Sequence, residues 1–125
     1  MKTSIETSKS PAPIGPYSQA VKSGNTLYVS GQIPINPANG QLMMEDIQSE
    51  TRQVMENLKN ILEKAGMSFD NVVKTSIFLI DMNNFSAINE VYGSYFSGNY
   101  PARETVQVSG LPRGVNVEIS VIATE

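Results

Sequence analysis

The sequence predicts a single α/β domain over residues 1–125, an α+β sandwich in which two helices pack on one face of a mixed β-sheet. Three observations support this fold class. Two segments carry apolar residues at helical spacing, six short segments have the pattern of strands, and their order is β-β-β-α-β-α-β-β. Two helices can cover only one face of such a sheet. A chain of 125 residues with 40% hydrophobic residues suits one domain with one core.

The first third of the chain predicts three strands and a stiff connection. A short strand is expected at Thr3–Glu6. The segment Pro11–Tyr17 contains three prolines, which exclude a helix and favour an extended path. Ala20–Ser23 and Thr26–Ser30 flank a turn at residues 24–25 and therefore predict a β-hairpin.

The middle of the chain predicts a helix followed by a strand. Apolar residues recur at spacings of three and four over residues 46–65, where Asp46 can cap the start of the helix and Gly66 its end. Val72–Ile80 predicts a strand whose last four residues are apolar on both faces, so both faces should be covered.

The last third predicts a second helix and two strands. The helix follows residues 83–84 and ends before Gly98; its apolar stripe consists of Phe85, Ile88, Tyr92 and Tyr95. Thr105–Val108 is expected to be a short strand. Val115–Ala123 alternates apolar and polar residues and is expected to be the last strand.

The sheet face away from the helices is expected to be mixed in polarity. Because the strand end at residues 77–80 is apolar on both sides, we expect neighbouring subunits to cover part of this face. The polar side chains assigned to it are Ser30, Lys74, Ser76, Thr105, Gln107, Glu118 and Ser120.

Composition excludes several classes of function. The chain has no cysteine and no histidine, which removes thiol nucleophiles, Ser-His dyads and the usual zinc ligands, so we expect no metal. A net charge of −3 without a basic stripe argues against nucleic acid, and no apolar run is long enough to span a membrane. The N-terminus lacks the apolar region of a signal peptide, so the cytoplasm is the expected compartment.

Arg103 is the best candidate for binding a small carboxylate, because its planar guanidinium offers parallel donors. By alternation Arg103, Thr105 and Gln107 share a face, which we assign to the polar side of the sheet. Glu118 is expected on the same polar face, where it could deprotonate a water. The alternatives are a surface arginine in a weak ion pair and a structural glutamate.

Four other residues are weaker candidates. Tyr17 follows a proline on the stiff segment and could form one wall of a pocket, or belong to a plain interface. Ser30 and Gly31 end a strand, where a glycine permits close approach of a ligand, although such a glycine is more often only a turn. Asn89 lies on the second helix, where most asparagines are simply solvated.

Taken together, several segments resemble the signatures of the Rid family, the reactive intermediate deaminases. The match runs in order over essentially the whole chain, and several motifs in register are more specific than any one of them. The segments are Gly15-Pro-Tyr-Ser-Gln-Ala20, Leu27-Tyr-Val-Ser-Gly-Gln-Ile-Pro34, Asn89-Glu-Val-Tyr92, Pro101-Ala-Arg103 and Val117-Glu-Ile119.

This resemblance implies a chorismate-mutase-like fold that forms a homotrimer, with small carboxylates bound in clefts between subunits. It implies hydrolysis of 2-imino or enamino acids such as 2-aminoacrylate to 2-keto acids and ammonia, without a cofactor. Arg103 would bind the substrate carboxylate and Glu118 would be associated with the attacking water. The substrate-binding residues would be Tyr17, Ser30, Gly31, Asn89 and Thr105.

Two residues depart from the family pattern, because Glu104 stands where a small residue is common and Thr105 where a cysteine is common. Alternation should turn Glu104 away from the Arg103 face. Both departures bear on substrate preference more than on reaction type.

The sequence is also compatible with three other functions. The first is a carboxylate-binding regulatory module of the same fold without turnover. The second is a nuclease or translation inhibitor, which the acidic charge and the absence of histidine disfavour. The third is chorismate-mutase-type chemistry, for which the three arginines of the chain are few.

Overall fold

The computed structural model describes all 125 residues and contains six strands and two α-helices in the predicted order. Neither helix combines the length and the apolar composition that a membrane span requires. The strands are β1 (Lys2–Ile5), β2 (Ala20–Ser23), β3 (Thr26–Gln32), β4 (Val72–Leu79), β5 (Ala102–Gln107) and β6 (Val117–Thr124), and the helices are α1 (Ile47–Lys64) and α2 (Phe85–Gly93).

All six strands form one sheet in the order β1-β2-β3-β6-β4-β5. Every neighbouring pair is antiparallel except β4 and β5, which are parallel, so the sheet is mixed. Both helices pack on one face of the sheet. The predicted fold class, an α+β sandwich with two helices on one face of a mixed sheet, is therefore confirmed.

The core lies between this helix face and the two helices, and it explains why α1 forms where it does. Its buried residues Val54, Leu58 and Ile61 meet the inward residues of β3, β4 and β6. Full burial of each such side chain contributes about 1.5–3 kcal/mol relative to exposure. Asp46 caps the helix by accepting a hydrogen bond from the Ser49 amide at 2.7 Å, and Gly66 ends it with a φ of 76°.

Three strand starts differ from the prediction, that of β1 by a single residue, since it begins at Lys2 rather than Thr3. β5 begins at Ala102, three residues earlier than expected, because it pairs in parallel with β4 from Lys74 onwards. β6 begins at Val117, two residues later than expected. The buried carboxylate of Glu50 accepts hydrogen bonds from the backbone N–H of Asn116 at 2.6 Å and from its side-chain amide at 2.9 Å, which fixes the residues before the strand.

The face assigned to Arg103, Thr105 and Gln107 was wrong. In the register of β5 on β4, these residues stand beside Thr75, Ile77 and Leu79, all of which are fully buried on the helix face. β5 is an edge strand, so its helix-side positions lie beyond the centre of the core and can be polar. Alternation identified which residues share a face, but not which face it is.

Candidate active site

The predicted site residues form two groups on opposite faces of the sheet. The first, here called the arginine half-site, consists of Arg103, Asn89 and Thr105. The second, here called the glutamate half-site, consists of Glu118, Gly31, Ser30 and Tyr17. Glu118 lies opposite Phe78 on the face away from the helices, whereas Arg103 lies beside Thr75 on the helix face.

Three contacts from α2 hold the Arg103 guanidinium in place. One of its terminal nitrogens, Nη1, donates a hydrogen bond to Asn89 Oδ1 at 2.6 Å. The guanidinium carbon lies 5.2 Å from the ring centre of Tyr92 and 5.7 Å from that of Phe85, within the range of cation–π attraction. Asn89 is therefore a partner of Arg103 rather than a solvated surface residue.

No carboxylate neutralises Arg103. The two salt bridges of the chain join Lys22 to Glu125 and Lys74 to Glu104. Asn89 is the only side chain that accepts a hydrogen bond from Arg103, so most of its donors remain available. They line an open cavity of about 350 Å³ together with Tyr100 and Pro101.

Two neighbouring hydroxyls complete the arginine half-site. Tyr92 donates to Thr75 at 2.9 Å; burial raises the pKa of its phenol, an effect that Thr75 and Arg103 partly oppose, so the ring stays neutral under the cation. Thr105 lies two residues beyond Arg103 on the same face, and its buried hydroxyl oxygen has no hydrogen-bond partner. The hydroxyl is therefore free to bind a ligand atom that reaches it.

The carboxylate of Glu118 lies directly over Gly31. A Cβ atom at Gly31 would stand only 2.8 Å from Glu118 Cδ and would overlap the carboxylate, so the carboxylate can keep this position only while residue 31 has no side chain. Glu118 is half-buried and makes no hydrogen bond or ion pair, and this burial raises the pKa of its carboxyl. It is a base without a partner in the single chain.

Tyr17 lies on a segment that is tied to the sheet beside Gly31. It lines a cavity of about 230 Å³ that Gly31 also lines. The Ser30 hydroxyl donates to the Ser18 carbonyl at 2.6 Å, so its proton is used to hold the segment. The buried side chain of Gln19 forms hydrogen bonds with backbone groups of Thr7, Ser10 and Pro11, which fixes the chain that leads into this segment.

One chain brings together Arg103 with Asn89 and Thr105, and Glu118 with Gly31, Ser30 and Tyr17, but it does not join the two half-sites. The expectation that Glu104 points away from Arg103 is confirmed. Glu104 lies on the face opposite to Arg103, where Ser76 donates to it and Lys74 pairs with it at 2.9 Å. These two contacts, that with Ser76 first, lower the pKa of Glu104.

Sequence reasoning missed the roles of Phe85 and Tyr92 at the arginine half-site, although a signal was present. Phe85, Asn89 and Tyr92 are spaced by four and three residues and therefore share one helix face. Phe85 and Tyr92 were interpreted as core residues, and Asn89 as a solvated residue beside them. The structure contains no group of three or more acidic residues that could hold a metal ion.

Comparison with known proteins identifies the family. The profile of the family described as endoribonuclease L-PSP matches residues 7–125. The solved structure of YyfA from Yersinia pestis, described as a protein of the conserved Rid family, is 51% identical, covers 100% of both chains and superimposes with a TM-score of 0.97. The chain belongs to the Rid family.

Relatives within the Rid family have more specific names. The 2-iminobutanoate/2-iminopropanoate deaminase of mouse is 50% identical over 97% of this chain and 90% of its own. The structure of Escherichia coli TdcF with bound serine is 41% identical, covers 98% of both chains and has a TM-score of 0.95. Other relatives of similar identity are named only as RutC family proteins.

Proposed function

We propose that this protein hydrolyses small 2-imino acids, and the enamines in equilibrium with them, to 2-keto acids and ammonia. The observation that carries the proposal is that Arg103 is held in place but has no anionic partner. Its guanidinium is oriented by Asn89 and two aromatic rings, has no carboxylate partner and faces a cavity. Such a group is suited to bind the carboxylate of a small acid through two parallel hydrogen bonds.

The proposed reaction needs only a bound substrate and an oriented water. Glu118, when ionised, accepts a proton from the water as its oxygen bonds to the imine carbon. With the imine protonated, this addition gives a neutral carbinolamine, and Glu118 returns the proton to its nitrogen. The C–N bond then breaks as the hydroxyl gives its proton back to Glu118, and ammonia and a 2-keto acid leave. The imine is itself the electrophile, so the proposed step requires no cofactor.

Both half-sites are needed for this reaction, and they lie on opposite faces of one chain. We therefore propose a homotrimer in which Arg103 of one subunit meets Glu118 and Tyr17 of the next. The open sheet face supports such an assembly, because Tyr28 and Val106 are 51% and 42% exposed there. Apolar side chains on an uncovered sheet face are typical of an interface between subunits.

The names of relatives support the same substrate class. The mouse relative is called a deaminase of 2-iminobutanoate and 2-iminopropanoate, and the TdcF structure holds serine, which carries an α-carboxylate. The family description names an endoribonuclease. This chain has a net charge of −3 and no histidine, a composition that disfavours RNA binding and hydrolysis.

A carboxylate-binding regulatory module is the second candidate. The separation of Arg103 from Glu118 in one chain favours it, since the arginine half-site alone can bind a carboxylate but has no base within it. Binding without turnover would follow if assembly failed to join the half-sites.

The two candidates separate in a coupled assay. An amino-acid oxidase or a threonine dehydratase generates the imine in situ, and the release of 2-keto acid and ammonia is followed with and without the purified protein. We expect faster release for imines with short side chains. Unchanged decay of several small imines, together with binding of 2-keto acids, would leave the regulatory module as the function.

A further inference from the structure

Arg113 occupies a backbone conformation that few arginines adopt. It lies in the short 3₁₀ turn Pro112–Gly114 between β5 and β6, with a φ of 58° and a ψ of 20°. This left-handed region favours glycine and asparagine, and it is uncommon for a long side chain. Uncommon backbone conformations of this kind are concentrated at functional sites.

The Arg113 side chain is also without a partner. It makes no salt bridge and no hydrogen bond, whereas Lys22 and Lys74 pair with Glu125 and Glu104. Arg113 is exposed, so a ligand that binds its guanidinium need not first displace a protein carboxylate.

Arg113 borders the glutamate half-site. Together with Tyr17 and Gly31 it lines the cavity of about 230 Å³, and Gly31 is the residue over which the Glu118 carboxylate lies. Ile14, Ile33 and Ile35 form apolar walls of the same cavity. The cavity therefore extends from Gly31, the residue beneath the Glu118 carboxylate, past these apolar walls to a residue with an unpaired cation.

We propose that this cavity receives the substrate side chain and that Arg113 binds a second carboxylate at its end. The preferred substrates then include dicarboxylic 2-imino acids, with methylene groups between the two carboxylates. This inference rests on the proposed function. When Arg103 holds the α-carboxylate and Glu118 faces the imine carbon, the side chain is the only part left to extend along the wall formed by Gly31 and Tyr17.

The chemistry of the cavity matches this ligand class. The isoleucine walls can contact methylene groups, and a guanidinium accommodates a carboxylate through parallel N–H donors. A purely apolar side chain would leave the Arg113 donors to water, whereas a terminal carboxylate would satisfy them. The cation should therefore favour a dicarboxylic over a monocarboxylic substrate.

The test compares 2-iminoglutarate with 2-iminobutanoate, both generated in situ, on wild-type protein and on variants of Arg113. Arg113→Asn fits the left-handed backbone and lacks the cation, so it should fold normally; Arg113→Gly serves the same purpose should Asn disturb folding. We expect the ratio of kcat/KM for 2-iminoglutarate to that for 2-iminobutanoate to fall about tenfold or more in Arg113→Asn. Arg113→Lys should retain part of the ratio, and Arg52→Ala, an exposed arginine on α1, should leave it unchanged.

Binding of the stable products separates this inference from the proposed function. Calorimetric titration with 2-oxoglutarate and 2-oxobutanoate should show preferential binding of the dicarboxylate that Arg113→Asn abolishes. If imines are not hydrolysed but this preference is found, the proposed turnover fails and the second carboxylate site stands. Equal binding of the two acids, or a selectivity ratio that Arg113→Asn does not change, overturns the inference even if small imines are hydrolysed.

Discussion

The guanidinium of Arg103 and the carboxylate of Glu118 occupy opposite faces of the same sheet, in different surroundings. Arg103 lies on an edge strand, held by Asn89 and between the rings of Phe85 and Tyr92. Glu118 lies on an inner strand over Gly31, with no hydrogen-bond partner. The arginine half-site is thus preorganised, whereas the glutamate half-site contributes a base that still lacks its partners.

This difference indicates that the two groups have separate roles in the proposed reaction, binding for Arg103 and proton transfer for Glu118. A cation that is already oriented binds a carboxylate with little loss of side-chain freedom. A half-buried carboxylate whose pKa is raised is a better proton acceptor than an exposed one. Within one chain the two groups lie on opposite faces of the sheet and cannot act on the same substrate. Catalysis in our account therefore depends on the association of subunits.

The largest expected effect on activity comes from substitutions in the arginine half-site. Arg103→Ala removes both the charge and the parallel donors, and we expect kcat/KM for 2-iminobutanoate to fall at least about tenfold to a hundredfold. Arg103→Lys should recover part of the loss, because lysine keeps the charge but offers a single point of contact. Steady-state kinetics measure this, with Arg52→Ala as the control; if Arg103→Ala stays folded and keeps full activity and 2-keto acid affinity, Arg103 does not bind the carboxylate.

A smaller effect is expected from the opposite face. In Gly31→Ala the new methyl group overlaps the Glu118 carboxylate, which must move away. We expect turnover to fall about tenfold, as for other small displacements of a catalytic group. The free energy of unfolding should change by about 1 kcal/mol or less, because the displaced atoms end a flexible side chain.

Gly110→Ala is the matched control for this substitution, since Gly110 has no atom within 4 Å of an added Cβ and no positive φ. Kinetics and thermal unfolding of both variants should show a loss of turnover for Gly31→Ala alone. Equal turnover of the two variants would mean that the position of Glu118 does not matter for the reaction.

The smallest expected effect concerns stability and pH. Burial raises the pKa of Glu118 above its ordinary 4.5, so the folded state holds this proton more tightly than the unfolded state. Stability from this group is present below the unfolded pKa and is lost as the pH rises through the folded pKa. Glu118→Gln should therefore be more stable than wild type at pH 8, with the advantage vanishing towards pH 4.

Thermal unfolding across this pH range measures the difference, and Glu63→Gln on α1 provides an exposed control. If the stability advantage of Glu118→Gln instead grew as the pH fell, the prediction would be contradicted. That result would show that the folded state stabilises the ionised form of Glu118.

Local sequence patterns were sufficient to predict the elements that depend on residues close together in the chain. The period of three and four residues and the caps at Asp46 and Gly66 defined α1 to within a residue, and the turn at residues 24–25 defined the hairpin. The membership of the arginine half-site was also predicted in part, because residues 103 and 105 share a face by alternation in any register.

The face on which Arg103 lies could not be predicted in the same way. It depends on the pairing of β5 with β4, two strands separated by α2, and no local pattern records that pairing. The polar residues of β5 suggested a solvated face, yet at the edge of the sheet the helix face accepts them as well. The stacking of Arg103 on Phe85 and Tyr92 depends on the same long-range arrangement and was missed for the same reason.

The most direct test of this account asks whether inactive chains restore one another. Arg103→Ala and Glu118→Gln are co-expressed in equal amounts, with each variant expressed alone as the control. If every site takes Arg103 from one subunit and Glu118 from the next, randomly assembled trimers contain about one quarter intact sites. Imine hydrolysis should then recover to about one quarter of the wild-type rate. Activity no greater than the mean of the two variants would contradict a site shared between subunits.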